Sequence, residues 1–143
     1  MMSYLSVARA AIIAKGAAVT GIVAALPRLP ESLPGSPVLV LGNPRWQTKA
    51  GDREQTTYIF DLDLYVERLF TDDQTIATAD DLIDLIQAAY AQGVTLGSQP
   101  GTTQCLITGG STDWFEQGHG GPSYFRVRFA LMLYATRQRG YTA

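Results

Sequence analysis

Two long segments of the chain alternate apolar and polar residues. They are Thr56–Glu67 and Ser123–Thr136. Because successive side chains of a strand point to opposite faces, each segment predicts a β-strand with one apolar and one polar face. The predicted apolar positions are Tyr58, Phe60, Leu62, Leu64 and Val66 in the first strand, and Phe125, Val127, Phe129, Leu131 and Leu133 in the second.

Both predicted strands are roughly twice as long as a usual strand of ~5–6 residues. At ~3.3 Å per residue the second would measure ~46 Å, whereas a domain of this size has a radius of gyration of only ~14–15 Å. A strand of that length crosses the whole domain and extends beyond its core unless it bends, bulges or meets a neighbouring subunit. The length therefore favours a part of an assembly over a self-contained enzyme.

The remaining pattern predicts two helices and two short strands. Ser3 is a candidate N-cap for a helix that ends at Gly16. Thr78 is a candidate N-cap for a second helix over Asp80–Tyr90, which begins with acidic residues. Val38–Leu41 and Gln104–Thr108 predict the short strands, and the first of them pairs with the strand that starts at Thr56. The predicted loops are Pro27–Pro37, Asn43–Gln55 and Gly109–Pro122.

This order of elements predicts an α+β fold, in which an antiparallel sheet of about four strands carries two helices packed on one face. The 143 residues fit a single domain over 1–143. The predicted sheet-on-helix core consists of Phe60, Leu62, Leu64, Leu82, Leu85, Ile86, Phe129 and Leu131.

Composition narrows the classes of function. A net charge of −2 argues against a DNA-binding module, which carries a clustered basic face. Lys15, Gly16 and Gly21 interrupt the Ala-rich start, so we expect no membrane span there. Cys105 is the single cysteine and excludes an internal disulfide.

Candidate catalytic chemistry is sparse. His119 is the single histidine, and neither it nor Cys105 has a partner at the spacing of a nucleophile or metal site. We therefore predict no catalytic residue, no metal site and no cofactor. An alternative hypothesis is a small cytosolic enzyme or ligand-binding protein, which would need Asp113, His119 and Cys105 in one pocket.

Aromatic and arginine residues in the predicted loops are candidates for subunit contacts, because such side chains anchor interfaces. They are Arg45, Trp46, Arg53, Trp114 and Phe115. The alternative for each tryptophan is a lid folded back on the core. On the polar face of the long strands, Arg126 and Arg128 would lie near Asp61 and Asp63, either as a solvated charge ladder or against a neighbouring subunit.

Several segments together resemble the tail-terminator proteins of long-tailed bacteriophages, also described as minor tail or tail-completion proteins. The similarity covers nearly the whole chain, from the opening helix and the turn at Leu26-Pro27 to the closing strand. Its segments include Ser36-Pro-Val-Leu-Val-Leu-Gly42 before a Trp-containing loop, the strand Tyr58–Glu67, the helix Asp80–Tyr90 and Gly120-Gly-Pro-Ser-Tyr-Phe-Arg-Val-Arg-Phe129.

The resemblance implies a structural virion protein that forms a hexameric ring at the head-proximal end of the tail tube. Such a ring stops tube polymerisation, joins the tail to the head-closure or connector protein, and passes genomic DNA through its channel. The protein would be found in the host cytoplasm during assembly and then in the virion. Asp72 and Asp73 are candidates for the channel lumen by their charge. The alternative within the same particle is a head-closure or tail-tube protein.

Overall fold

The computed structural model describes residues 3–50, 53–92 and 102–138. In these ranges the chain forms two helices and one mixed sheet of six strands. The elements are α1 (Tyr4–Ala17), β1 (Ala24–Leu26), β2 (Val38–Leu41), β3 (Arg45–Lys49), β4 (Arg53–Glu67), α2 (Asp72–Gln92), β5 (Thr102–Glu116) and β6 (Ser123–Gln138). The α+β class is confirmed, whereas the expected sheet of about four antiparallel strands is corrected to six strands with one parallel pair.

The two long strands form the centre of the sheet. Its order is β1-β2-β4-β6-β5, and β3 pairs with β4 beside β2. β4 and β6 pair antiparallel over their length, from Arg53 opposite Gln138 to Glu67 opposite Tyr124. Strand β6 pairs with one edge of β4. The other edge of β4 pairs with both β2 and β3, and between these two strands the Gly42 amide donates to the Asp61 carbonyl (2.8 Å).

Both helices pack against one face of the sheet. The main core joins the inward side chains of β2, β4, β5 and β6 to α1 and α2. The Tyr90 hydroxyl of α2 donates to the Ile12 carbonyl of α1 at 2.7 Å and links the two helices. Seven of the eight predicted core residues are buried, but Leu85 is 45% exposed because the inward stripe of α2 follows Leu82, Ile86 and Tyr90.

The start of the second helix also differs from the prediction. α2 begins at Asp72 rather than beyond Thr78, because the Thr71 hydroxyl accepts the Gln74 amide (3.1 Å) and supplies the capping interaction. Asp72 and Asp73 therefore occupy the first helical turn instead of a loop tip. Carboxylates are favourable there, since the first turn carries the positive end of the helix dipole.

The opposite face of the sheet is partly covered by the Pro-rich segment 27–37. Leu33 from this segment packs against Val38, Tyr65 and Tyr124 in a second buried cluster. The Gln117 side chain holds the segment in place, donating to the Pro30 carbonyl (2.9 Å) and accepting the Leu33 amide (3.3 Å). Part of the sheet thus has an apolar layer on both faces.

Two predicted loops consist largely of strand. β3 falls inside the predicted 43–55 loop, and β5 continues to Glu116 through most of the predicted 109–122 loop. A bulge between Ile107 and Gly109 shifts the register of β5. At Gly110 an added Cβ would lie 2.8 Å from the Arg128 carbonyl oxygen, so this glycine permits close approach of two strands.

Candidate assembly surfaces

The first candidate surface is the end of the sheet formed by β3 and residues 53–57 of β4, here called the β3 end. All five β3 residues are exposed, and among the described elements β3 contacts only β4. Trp46 is 65% exposed and therefore is not a lid on the core. Its predicted loop position is corrected to a strand, while Arg53 lies at the start of β4 with its side chain outside the described residues.

An open groove of about 390 Å³ lies at the β3 end. Its lining consists of Arg45, Trp46, Gln47, Thr57 and Ile59, and Arg45 supplies a positive charge. The Arg45 guanidinium lies 3.7 Å from the Asp61 carboxylate, and both side chains remain exposed. An exposed ion pair of this kind contributes little to the free energy of unfolding, so Arg45 can exchange it for a contact with a partner.

The second candidate surface is the turn from Arg68 to Thr71 between β4 and α2, here called the Phe70 turn. Phe70 is 101% exposed and Leu69 is 47% exposed. Sequence reasoning did not select these residues. The available signal was a pair of large apolar residues outside any periodic pattern and directly before the acidic start of a helix.

Trp114 lies beside the Phe70 turn, on the edge strand β5. Its ring packs against Phe125 with centroids 5.1 Å apart, and the Arg68 guanidinium lies 4.3 Å from its centroid. Trp114 is 38% exposed. Its predicted loop position is corrected to a strand, where it is partly a lid on the core and partly free for an external contact.

Phe115 also lies in a strand, and most of its contacts are internal. It packs edge-to-face on Tyr65, with the centroids 5.3 Å apart, and the Arg126 guanidinium lies 4.9 Å from its ring. Because successive residues of β5 point to opposite faces, Phe115 joins the second buried cluster while Trp114 lies on the helix side.

Ion pairs cross the polar face of the sheet where the sequence predicted a charge ladder. Arg128 is directly opposite Asp63 and donates to it at 3.2 Å, while Arg126 donates to Asp113 at 2.9 Å. The hydrogen bond from Arg126 lowers the pKa of Asp113. Burial raises the pKa of Asp63, and the hydrogen bond and charge of Arg128 oppose only part of that shift. Both arginines therefore have partners within the chain.

The acidic surface of α2 has few basic neighbours. The helix carries five aspartates and no lysine or arginine, and all five aspartates are exposed. Arg68 pairs with Asp72 at 3.3 Å. This surface carries a concentrated negative charge next to the apolar Phe70 turn.

The residues of the enzyme hypothesis are separated. Cys105 is buried in the main core, where burial raises the pKa of its thiol to about 11. Asp113 lies on the other face of the sheet, about 25 Å further along β5 at the usual rise per residue, and His119 is exposed in the turn before β6. Among the described residues, no group of three His, Cys, Asp or Glu side chains is placed to hold a metal ion.

Comparison with family models gave no match for this chain, and no curated protein is significantly similar to it. In residues 3–50, 53–92 and 102–138, no helix is both long and apolar enough to span a membrane.

Proposed function

We propose that the protein is a ring-forming structural component of a phage tail, located at the head-proximal end of the tail tube. The observation that carries this proposal is the pair of exposed apolar surfaces at the two ends of the sheet, the β3 end and the Phe70 turn. Large exposed apolar side chains next to polar residues are typical of protein–protein contact sites. The segment resemblance to tail-terminator proteins supplies the particular role.

In this role the ring stops polymerisation of the tube and joins it to the head-closure or connector protein. Subunits of a closed ring meet through two different patches, one on each side of the subunit. The interface residues proposed from the sequence fit this requirement to different degrees. Trp46 is exposed, Arg45 has only an exposed ion pair with Asp61, and Trp114 is partly exposed. Phe115, Arg126 and Arg128 have closer internal partners.

The channel of such a ring must let DNA pass without binding it, so negative charge is favourable along its wall. Asp72 and Asp73 remain our candidates for the lumen, now as part of the exposed acidic surface of α2 rather than as a loop tip. DNA would pass without sequence-specific contacts.

Native mass spectrometry of the purified chain, combined with electron microscopy of assembling tails, tests the proposal. We expect a hexamer and density for the protein at the head-proximal end of each tube. Tails assembled without it should vary in length, and addition of the purified protein should stop their growth. A chain that stays monomeric in the presence of tube ends contradicts the proposal.

The alternative role in the same particle is a head-closure or tail-tube protein, since those proteins share α+β or β-rich ring architectures. The location of the chain separates these roles. Labelling along the whole tail would assign it to the tube, and labelling only on heads that lack tails would assign it to head closure.

A further inference from the structure

Strands β3 and β5 each leave one edge without a strand partner in the part of the chain that the structure describes. Within the described sheet, β3 pairs only with β4, and β5 pairs only with β6. All five β3 residues are exposed, as are the β5 residues from Thr108 to Trp114. An edge of this kind presents a row of unpaired backbone amides and carbonyls, to which a strand of another chain can be added.

In β3 the backbone groups that face outward belong to Trp46 and Thr48. The Gly42 amide donates to the Asp61 carbonyl at 2.8 Å, so the odd-numbered residues of β4 direct their backbone groups towards β3. Backbone groups of successive strand residues point to opposite edges, and the odd-numbered residues of β3 lie opposite those of β4. The even-numbered residues of β3 therefore direct their backbone groups away from the sheet.

In β5 the backbone groups that face outward belong to Thr112, Trp114 and Glu116. The Gln117 amide donates to the Pro122 carbonyl at 3.1 Å and continues the register between β5 and β6. The odd-numbered residues in this part of β5 therefore face β6, and the even-numbered residues face outward. The register is regular beyond the bulge, so these outward groups form one continuous row.

Two copies placed side by side present these edges to each other in the orientation that antiparallel pairing needs. The pairs β3–β4, β4–β6 and β5–β6 are all antiparallel, so β3 and β5 of one subunit run in opposite directions. A copy rotated into the next position keeps these strand directions and keeps its helices on the same face. Its β3 edge can therefore extend the sheet beyond β5.

The side chains favour the register that places Trp46 opposite Trp114. Both indoles lie on the helix side, both are exposed, and both belong to residues with outward backbone groups. Residues directly opposite in an antiparallel pair share a face, and an aromatic pair contributes beyond the area that it buries. In this register β5 ends at Glu116, before it reaches β1 of the neighbouring copy, where Leu26 lies level with Asp63.

The helix side of this junction carries few charges. The Arg68 guanidinium lies 4.3 Å from the centroid of the Trp114 ring, and Glu116 follows at the end of β5. Opposite them, β3 contributes only Trp46 and Thr48 on that side. Neither charged group therefore meets a like charge from β3.

Charge on the polar side does not select the partner. Arg45 already has an ion pair with Asp61, and Asp113 has one with Arg126. In this register Asp113 lies diagonally between Arg45 and Lys49 of the neighbouring copy, so no like charges are directly opposite. Backbone pairing and the tryptophan pair therefore determine the match, and a second copy of this chain supplies both.

We infer that the outer edge of β5 in one subunit pairs antiparallel with the outer edge of β3 in the next, with Trp46 opposite Trp114. This inference rests on the ring in the proposed function and names its junction. The two edges are different parts of the chain, so the contact is heterologous and generates a ring when its rotation closes. Residues 45–49 and 111–115 lie at different levels along β4, and a closed sheet needs such a stagger between strands.

Disulfide cross-linking of the full chain tests the register. Lys49 and Ser111 are exposed and would be opposite each other in a non-hydrogen-bonded pair, where Cα atoms lie ~4.5 Å apart, within the range of a disulfide. Mixing Lys49→Cys with Ser111→Cys under oxidising conditions should give a dimer with one chain of each kind, and neither variant alone should form it. The native Cys105 is buried. Lys49→Cys mixed with Thr112→Cys is the matched control, since Thr112 lies on the other face of the sheet and should not cross-link.

Blocking one outward amide gives a second measurement. Thr112→Pro removes the outward N–H of an exposed edge residue, a position where proline leaves the pairing with β6 intact. Half assembly should then need a concentration about tenfold higher or more, while the melting temperature changes little. Thr112→Ala keeps the amide and should assemble like the unmodified chain.

The outcomes separate this inference from the proposed function. If the unmodified chain forms a ring and the Lys49→Cys and Ser111→Cys variants do not cross-link, the junction lies elsewhere and the inference is wrong while the ring stands. A ring formed by Thr112→Pro at the unmodified concentration overturns the inference in the same way. Cross-linked chains that grow into open filaments support the junction and contradict the ring. An unmodified chain that remains monomeric beside tube ends overturns both.

Discussion

Strand β4 runs through both the middle of the sheet and the β3 end, but the burial of side chains differs between these two regions. In the middle, Leu62 and Leu64 of β4 lie under two helices and are almost fully buried. At the β3 end, Trp46 lies opposite Tyr58 on the side of the sheet that carries the helices, yet it is 65% exposed. The alternation of residues along a strand determines which face of the sheet a side chain occupies. Whether that face is buried depends on whether a helix or another segment packs over it.

The polar face shows the same difference. The Pro-rich segment covers Tyr65 and Val40 at one part of the sheet, whereas the groove beside Ile59 is open. A strand that is paired but uncovered is held by backbone hydrogen bonds and leaves its side chains available. The covered region therefore determines the stability of the fold, and we expect the uncovered end to determine assembly.

The largest expected effect is a cavity in the covered region. Leu62→Ala should lower the free energy of unfolding by ~2–5 kcal/mol, because it removes a buried side chain between sheet and helices. Leu85→Ala is a matched control, since this leucine is 45% exposed and should lose much less. Urea unfolding of both variants measures the difference. An unchanged midpoint for Leu62→Ala would show that this strand face is wrongly assigned.

The next effect is on assembly rather than on folding. Trp46→Ala should change the free energy of unfolding by less than about 0.5 kcal/mol, as is usual for an exposed side chain, but should weaken self-association strongly. Trp114→Ala should affect both, because its ring packs on Phe125. The measurement pairs thermal melting with oligomer size. If Trp46→Ala unfolds the chain, the β3 end is part of the stable core.

A smaller effect is expected for the two ion pairs of the polar face, Asp113–Arg126 and Asp63–Arg128. Their contributions to the free energy of unfolding should depend on pH in opposite directions. The pKa of Asp113 is lowered from 3.8, so its contribution to stability is present above 3.8 and is lost as the pH falls through its folded-state pKa. The pKa of Asp63 is raised from 3.8, so its contribution is present below 3.8 and is lost as the pH rises through its folded-state pKa.

Unfolding of Asp113→Asn and Asp63→Asn across this range measures both contributions against the unmodified chain. The stability difference for Asp113→Asn should shrink as the pH falls below 3.8. The stability of the unmodified chain relative to Asp63→Asn should fall as the pH rises through the folded-state pKa of Asp63. Two differences that change in the same direction would contradict the assigned environments.

The smallest expected effects on stability and assembly are those of changes at Cys105 and His119, the two candidate reactive side chains. The Cys105 thiol, with a pKa of about 11 in its buried site, should resist alkylation in the folded chain and react on unfolding. His119→Ala, in the exposed turn, should change neither the melting temperature nor the assembly. Rapid labelling of the folded chain would show that β5 opens in this region, and loss of assembly with His119→Ala would give the histidine a role.

Part of this fold is determined by the sequence alone. The alternation over 56–67 and 123–136 predicts both long strands and the face that packs on the helices, whereas the burial of Tyr65 and Tyr124 on the other face depends on the Pro-rich segment. Ser3 caps α1 as expected, since an N-cap depends on a local hydrogen bond. Asp63 and Arg128 lie on the polar face that the alternation assigned to them, and the paired strands place them opposite each other.

Other parts are decided only by the tertiary structure. β3 has no buried residue and therefore no alternation to detect, and it is a strand because β4 offers it hydrogen-bonding partners. Cys105 and Asp113 are eight positions apart, which would place them on the same face of a regular strand. The bulge before Gly109 in β5 places them on opposite faces and interrupts the alternation. The exposure of Phe70 likewise is decided by tertiary structure, since none of the described helices and strands covers it. The sequence determines local preference and facial pattern, whereas strand pairing and coverage depend on segments that are distant along the chain.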